Sequence, residues 1–314
     1  MREFTPRQPV FPRCLPLHVK VAPAYKFLPP ELADRLRNLG LSVRRPVEGG
    51  MQGLHRSPQH GSSVEFSDYR EYTPGDPPNR IDWAVFARSD RYVIRRYHEE
   101  TNLRAVLLLD TSESMGFQEA GVYSKSDYAA YLAAGLMYIL VRQNDSAGLV
   151  MFNDTIQKQL PPAGSLEGLR PLLLELEAVK PAGKSGIEAA LHHVAEQVKR
   201  RSLIVLLSDC LCEPAAILRG LRHLQHNGHE VTIMNIFDPA ELQLSFSGLV
   251  ELRELETGER LLLQTEEFRE AYAFEVRRHI ETLREGCADC LADYHLVDTR
   301  KPIEEALLLR AKRE

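Results

Sequence analysis

The sequence predicts an α/β protein: a Rossmann-like, doubly wound, mostly parallel sheet with a β-rich N-terminal flank. Two short, wholly apolar runs, LRAVLLLD (103–110) and SLIVLLSD (202–209), carry the prediction. Such runs fit strands buried on both faces. The third observation is the alternation around them, in which strand-length and helix-length segments succeed one another as βαβ units do.

The front of the chain is different material. Residues 1–60 carry ten Lys and Arg against four Asp and Glu, whereas the remainder carries 29 against 40, and twelve of the 19 prolines precede residue 80. Residues 1–28 read as a Pro-rich extended arm. Pro29-Pro30-Glu31 opens a short helix with Leu32, Leu36 and Leu39 on one face and Gly40 as its stop. Residues 46–62 hold turn formers without periodicity and read as a loop. Residues 63–100 read as strands and turns: Val64, Phe66, Tyr69 and Tyr72 on a strand, a dense turn at 73–79, and a strand over 92–97. Three regions follow: the arm at 1–28, a β-rich flank with a short helix at 29–102, and the α/β domain with a C-terminal extension at 103–314.

Within that domain helices are expected near 125–142, 165–177, 186–200, 214–226, 266–285 and 302–312, and strands at 147–152, 155–160, 230–236 and 293–298. Residues 249–255 and 260–263 flank Thr257-Gly258 as a hairpin at a sheet edge.

The net charge of −5 disfavours a dedicated nucleic-acid binder. No run of about 18 apolar residues appears, so no transmembrane helix is expected. The first residues lack a signal-peptide pattern, and five cysteines without an export signal fit reduced thiols and a cytoplasmic location.

Each apolar strand ends in an aspartate, Asp110 and Asp209. Ligands of open α/β sheets bind beyond the carboxyl ends of the strands, where the order reverses. Asp110 is followed by Thr111, Ser112, Glu113 and Ser114, and the loop 181–187 adds Ser185. One carboxylate and small hydroxyls are hard ligands suited to Mg²⁺ or Mn²⁺, not zinc, and Asp209 is a candidate for holding a coordinated water. The competing reading of Asp110 is a plain helix cap.

The pattern D-x-S-x-S after an apolar strand, then a loop hydroxyl, then a strand-end Asp resembles the metal-ion-dependent adhesion site of von Willebrand factor A domains. Residues 65–98 are more specific. Glu65-Phe66, Asp68-Tyr69-Arg70, Tyr72, Pro74-Gly75-Asp76, Arg80-Ile81-Asp82-Trp83 and Ala87-Arg88 resemble the signature of the DUF58 family, bacterial proteins with a von Willebrand A-like domain. The resemblance runs from about residue 30 to the C-terminus. It implies a von Willebrand A-like fold and a metal held by Asp110, Ser112 and Ser114 and completed by Ser185 and Asp209. It also implies a partner protein whose acidic side chain fills the open metal position, and association with a MoxR-type AAA+ ATPase. The function it implies is a non-enzymatic, metal-dependent adaptor or co-chaperone. The sequence departs from many relatives at Pro77, where a second acid is usual, at Ser185, where Thr is usual, and in having no N-terminal membrane helices.

Other signals point less far. A metal-dependent phosphohydrolase is the alternative, but that chemistry asks for a second Asp where Ser112 stands and a nearby lysine, for which Lys184 is the candidate. A vestigial site without metal is a third reading. Gly183-Lys184-Ser185 looks like a P-loop end, yet position 178 is Ala rather than Gly, so no nucleotide site is expected. Cys210/Cys212 and Cys287/Cys290 are two pairs on different elements, read as packed thiols rather than a zinc site. The cluster Arg80, Asp82, Trp83 and Arg88 is either a recognition surface or a buried ion-paired network with Glu65 and Asp76; the network is the expectation.

Overall fold

The computed structural model describes residues 25–37, 39, 64–73, 75–76, 78, 81–99, 103–244, 248–253 and 260–311. Residues 1–24 of the arm and the loop at 46–62 lie outside them, as do Pro74, Pro77 and Arg80.

Helix α1 (Pro30–Leu36) begins on a proline, whose missing N–H is no loss in a first turn, and buries Leu32 and Leu36. Strands β1 (Val64–Glu71) and β2 (Val93–Glu99) pair antiparallel. Between them lies α2 (Trp83–Ser89), where the sequence reading had only strands and turns. Asp82 makes this helix: its carboxylate accepts from the Ala84 and Val85 amides at 3.0 and 3.3 Å. Seven residues hold too little periodicity to reveal it.

The remaining elements follow in order: β3 (Arg104–Asp110), α3 (Lys125–Arg142), β4 (Ser146–Phe152), β5 (Ile156–Ala163), α4 (Leu166–Ala178), α5 (Ile187–Gln197), β6 (Leu203–Ser208), α6 (Pro214–His226), β7 (Glu230–Phe237), α7 (Pro239–Gln243), β8 (Leu249–Arg253), β9 (Arg260–Gln264), α8 (Thr265–Asp289), β10 (Asp293–Asp298) and α9 (Ile303–Ala311). Six strands form one sheet in the order β10-β7-β6-β3-β4-β5. All pairs are parallel except β4 with β5. The hairpin β8–β9 forms but stands as its own two-stranded sheet. It does not extend the main sheet, because β10 takes the place beside β7.

The alternation of β3 distributes the helices. Ala105, Leu107 and Leu109 enter one apolar cluster with residues of α1, α3, α4 and α9, while Val106 and Leu108 enter the other with α5, α6 and α8. The sheet is therefore covered on both faces, as its apolar runs require. Helix α1, assigned by sequence to the flank, packs on the α/β unit: a Cβ at Gly135 of α3 would lie 3.2 Å from Leu36 and 2.8 Å from Leu307 of α9. Arg35 also pairs with Glu304 at 2.9 Å.

Helices α5 and α6 approach through Gly220, where an added Cβ would meet the Leu191 Cβ at 2.6 Å. Gly220→Ala is expected to lower stability by about 1–3 kcal/mol, overpacking outweighing the better helix propensity. A urea midpoint at or above wild type would contradict this.

Candidate metal centre

The chain leaves β3 toward β4 and, after returning to β6 on the other side, leaves toward β7. The crevice at the carboxyl ends of β3 and β6 is thus the switch point of the sheet, where open α/β sheets place their ligands. Leu109 pairs with Leu207, so Asp110 and Ser208 stand next to one another at this edge. Ser208 donates to Asp110 Oδ2 at 2.7 Å. Ser185 donates to the same oxygen at 2.7 Å, and the Ser112 amide donates to Oδ1 at 2.9 Å. Beyond Asp110 a 3₁₀ turn over Glu113–Gly116 follows, with Ser112 as its N-cap. The turn brings the Ser112 and Ser114 hydroxyls to 3.1 Å.

The loop carrying Ser185 is tied by its backbone. Ala182 N–H donates to the Thr111 carbonyl at 2.9 Å, the Glu113 amide donates to the Gly183 carbonyl at 2.9 Å, and the Gly186 amide donates to the Asn153 carbonyl at 2.7 Å. Gly183 takes φ +76°, which a side chain would strain.

Asp209 is one residue beyond Ser208, and the pleat sends it to the α3 side. There the ammonium of Lys125 donates to Asp209 Oδ2 at 2.8 Å and to Glu241 Oε1 at 2.6 Å. Lys125 and Asp209 have no exposed side-chain surface. The Phe117 ring lies 5.8 Å from the ammonium. Asp209 Oδ1 accepts from the Leu211 amide at 3.3 Å. Glu241 is set by a capping box on α7, in which Asp238 caps and Glu241 returns to the Asp238 amide.

Burial, and secondarily the negative charge of Asp209, push the pKa of Asp110 above its usual range, against the bonds from Ser185, Ser112 and Ser208. For Lys125 burial acts to lower the pKa, but Asp209 and Glu241 outweigh it and hold the ammonium protonated. Two carboxyl groups thus share one ammonium in a closed space, and Asp110 stands close enough to Asp209 to be raised by its charge.

The structure therefore brings Asp110, Ser112, Ser114 and Ser185 into one cluster of hard oxygen donors, with Asp209 behind it on Lys125. These residues fit a small divalent cation: one carboxylate and hydroxyls suffice for an ion that keeps waters, and the unbalanced acid favours a positive guest. Asp110, Ser112, Ser114 and Ser185 would hold it, and Asp209, spent on Lys125, would act through a water. Sequence reading missed Lys125, Ser208 and Glu241. Glu241 had a readable signal in the Asp238-Pro239-x-Glu241 start of a capped helix, and Ser208 one in the alternation along β6; Lys125 had none.

Lys184 is exposed. Cys210, Cys287 and Cys290 are buried in the α5/α6/α8 cluster, and Cys212 packs against it. Burial pushes the Cys210 thiol up, and the Cys287 thiol to about 12, so these are packing groups rather than thiolates. Among the described residues no three or more His, Cys, Asp and Glu side chains gather as a metal-binding group. In the flank, Asp76 pairs with Arg70 at 2.7 Å, Asp82 caps α2, and Trp83 is exposed. Asp82 is buried and also accepts from the Tyr69 hydroxyl at 3.2 Å, while the helix carrying Trp83 buries none of its side chains; Arg80 and the side chain of Glu65, the other members of the expected network, lie outside the described residues.

A covered, mostly parallel six-stranded sheet with one antiparallel edge strand and an oxygen-donor cluster at its switch point defines a Rossmann-like, doubly wound α/β domain. The chain belongs to the family described as "Protein of unknown function DUF58", which matches residues 68–282 and so takes in the later part of the flank and every strand of the main sheet except β10. The "uncharacterized protein Rv1480" of Mycobacterium tuberculosis is 29% identical over 232 residues, 73% of this chain and 72% of that protein. Among solved structures, the chain is similar to BatB from Bacteroides thetaiotaomicron, with 18% identity, 67% of this chain and 100% of that one aligned, and a TM-score of 0.44. It is similar also to the SpRpn10 VWA domain, with 11% identity, 67% and 95% aligned, and a TM-score of 0.40. Among the described residues no helix is long and apolar enough to cross a membrane.

Proposed function

We propose that this protein is a non-enzymatic, cytoplasmic interaction adaptor that binds its partner through a divalent cation, Mg²⁺ or Mn²⁺, at Asp110, Ser112, Ser114 and Ser185. The observation that carries the reading is the cluster itself: a buried carboxylate held by hydroxyls, next to two further acids that share a single ammonium. A cation there balances the acid excess and leaves coordination positions for water or for an acidic side chain of another protein. No nucleic-acid role is included. The partner class is a MoxR-type AAA+ ATPase, with this chain as adaptor or co-chaperone; the family resemblance supports that part.

Calorimetry with Mg²⁺ or Mn²⁺ tests the metal. Wild type is expected to bind and Asp110→Ala to give no heat. Because Asp110 holds its proton more tightly than a free carboxyl, affinity is expected to fall with acidification, by about tenfold per pH unit where one proton is displaced. Equal binding by wild type and variant, or none by either, would overturn the reading. Recovery of an AAA+ ATPase on the immobilised chain, lost on adding chelator, tests the partner.

A further inference from the structure

A cavity of about 540 Å³ opens at the carboxyl end of the sheet, and the metal reading does not use it. Leu211 follows β6, Phe237 ends β7, Glu241 comes from α7, and Tyr272, Val276 and His279 come from α8. Their spacing puts the three α8 residues on one helix face. The cavity adjoins the metal cluster through two bonds already described, from the Leu211 amide to Asp209 and from Lys125 to Glu241. Phe237 is buried, while Leu211, Glu275 and Arg278 stand exposed at the rim. Ligand pockets have volumes of about 300–1,000 Å³. A buried floor below an exposed rim admits a group from outside.

The polar lining is rich in acceptors. Glu241 is 15% exposed, and its two oxygens accept from Lys125 at 2.6 Å and from the Asp238 amide at 3.0 Å. A carboxylate has about four lone-pair sites, so room for further donors remains. Burial pushes the Glu241 pKa up even beside Lys125, the mark of a carboxylate short of positive charge. His279 Nε2 donates to the Cys210 carbonyl at 3.0 Å, which leaves Nδ1 of the neutral ring an acceptor. The charges point the same way. Arg278 pairs with Glu275 at 2.5 Å, and Lys125 is divided between Asp209 and Glu241. Three acids thus face two cations. The rings of Phe237 and Tyr272 complete the lining. Aromatic faces beside unbalanced acid attract an ammonium or a guanidinium.

We infer that this cavity takes a basic side chain, an arginine or a lysine, of the partner protein. That the occupant belongs to a protein rests on the adaptor reading; that it is a cation rests on the lining alone. The partner is then held at two neighbouring points, an acid on the metal and a base between Glu241, Glu275 and Tyr272. Opposite charges side by side on the partner are selected, and a partner with acids alone is not.

The test titrates the full-length chain with N-acetyl-arginine amide and with N-acetyl-citrulline amide, its neutral isostere, and follows the NMR signals of the Val276 methyls and the Tyr272 ring. Chelator is present throughout, so the outcome is the same whether or not the metal reading holds. The expected result is a saturable shift of both signals with the arginine probe, and binding weaker by about tenfold or more with citrulline. An arginine flanked by two glycines on each side should bind as well as the capped amino acid. Glu275→Lys, at an exposed rim position, should weaken the arginine probe by about tenfold or more. Equal binding of arginine and citrulline, or no shift with either, would overturn the inference. Glu275→Lys binding as wild type does would overturn it too. So would shifts confined to the amides of residues 183–185, which assign the probe to the metal cluster. Arginine bound only without its glycine flanks would overturn it by assigning the cavity to a free organic cation.

Discussion

Lys125→Met is expected to destabilise the protein by about 3–5 kcal/mol, the cost of stranding buried charge when one partner of an ion pair is removed. Methionine keeps the length and apolar stem of lysine, so lost packing contributes little. What goes is the one cation between Asp209 and Glu241, bonded to both at 2.8 and 2.6 Å with no exposed surface of its own. Against a typical domain stability of about 5–15 kcal/mol, this loss is large. The variant Lys125→Met with Asp209→Asn and Glu241→Gln should recover most of it, since neutral amides tolerate the closed space. Urea unfolding of wild type, single and triple variants measures both steps. A Lys125→Met midpoint equal to wild type would show the three groups to be solvated in solution.

Asp238→Ala is expected to cost about 3 kcal/mol or more. Its carboxylate accepts the backbone amides of Glu119, Ala120, Gly121 and Ala240 at 2.9–3.2 Å. Each bond to a charged group contributes about 1.5–3 kcal/mol, and the exposed part of the 119–121 loop regains some of that from water. The loop fits closely: a Cβ at Gly121 would fall 2.2 Å from Thr299 Oγ1. Burial works to raise the Asp238 pKa, but the amides of Glu119, Ala240, Gly121 and Ala120 outweigh it and hold it below 3.8. A carboxylate with a lowered folded pKa contributes its stability fully above the unfolded value and loses it as the pH falls through the folded one. Wild type should therefore lose stability below about pH 4, through this group among others, while Asp238→Ala lacks its share of that dependence. Thermal midpoints against pH, with hydrogen exchange at 119–121, read both effects. Unchanged exchange in the variant would argue against the anchor.

Much of the fold was legible because two runs of apolar residues can be satisfied only inside a covered parallel sheet. The helix expected at 125–142 spans Lys125–Arg142. The candidate site was legible as a list of oxygen-bearing residues but not as a circuit. A lysine opening a helix reads as a solvated residue set against the helix dipole. Its partners lie 84 and 116 residues away, and no local pattern announces them. Ser208 was overlooked beside the more conspicuous Asp209, although alternation along β6 places Ser208, not Asp209, on the side of Asp110. In the flank the short helix α2 was missed for the opposite reason: acids and arginines close in sequence drew the reading to pairing, as Asp76 does with Arg70, while Asp82 also starts a helix.

The bonds that join the pieces of the site, Asp110 to Ser185 and Ser208 and Lys125 to Asp209 and Glu241, each close a loop of 75 to 116 residues. During synthesis at about 5–20 residues per second, some 10 s or so separate the emergence of Asp110 from that of Glu241. Throughout that interval a nascent chain has its first carboxylate but not the residues that complete the circuit. The buried ammonium and the acids around it do not have their full set of partners before helix α7 has been made. A stalled or truncated product ending before residue 241 is thus chemically distinguishable from the finished protein, although it already contains Asp110, Ser112, Ser114 and Ser185.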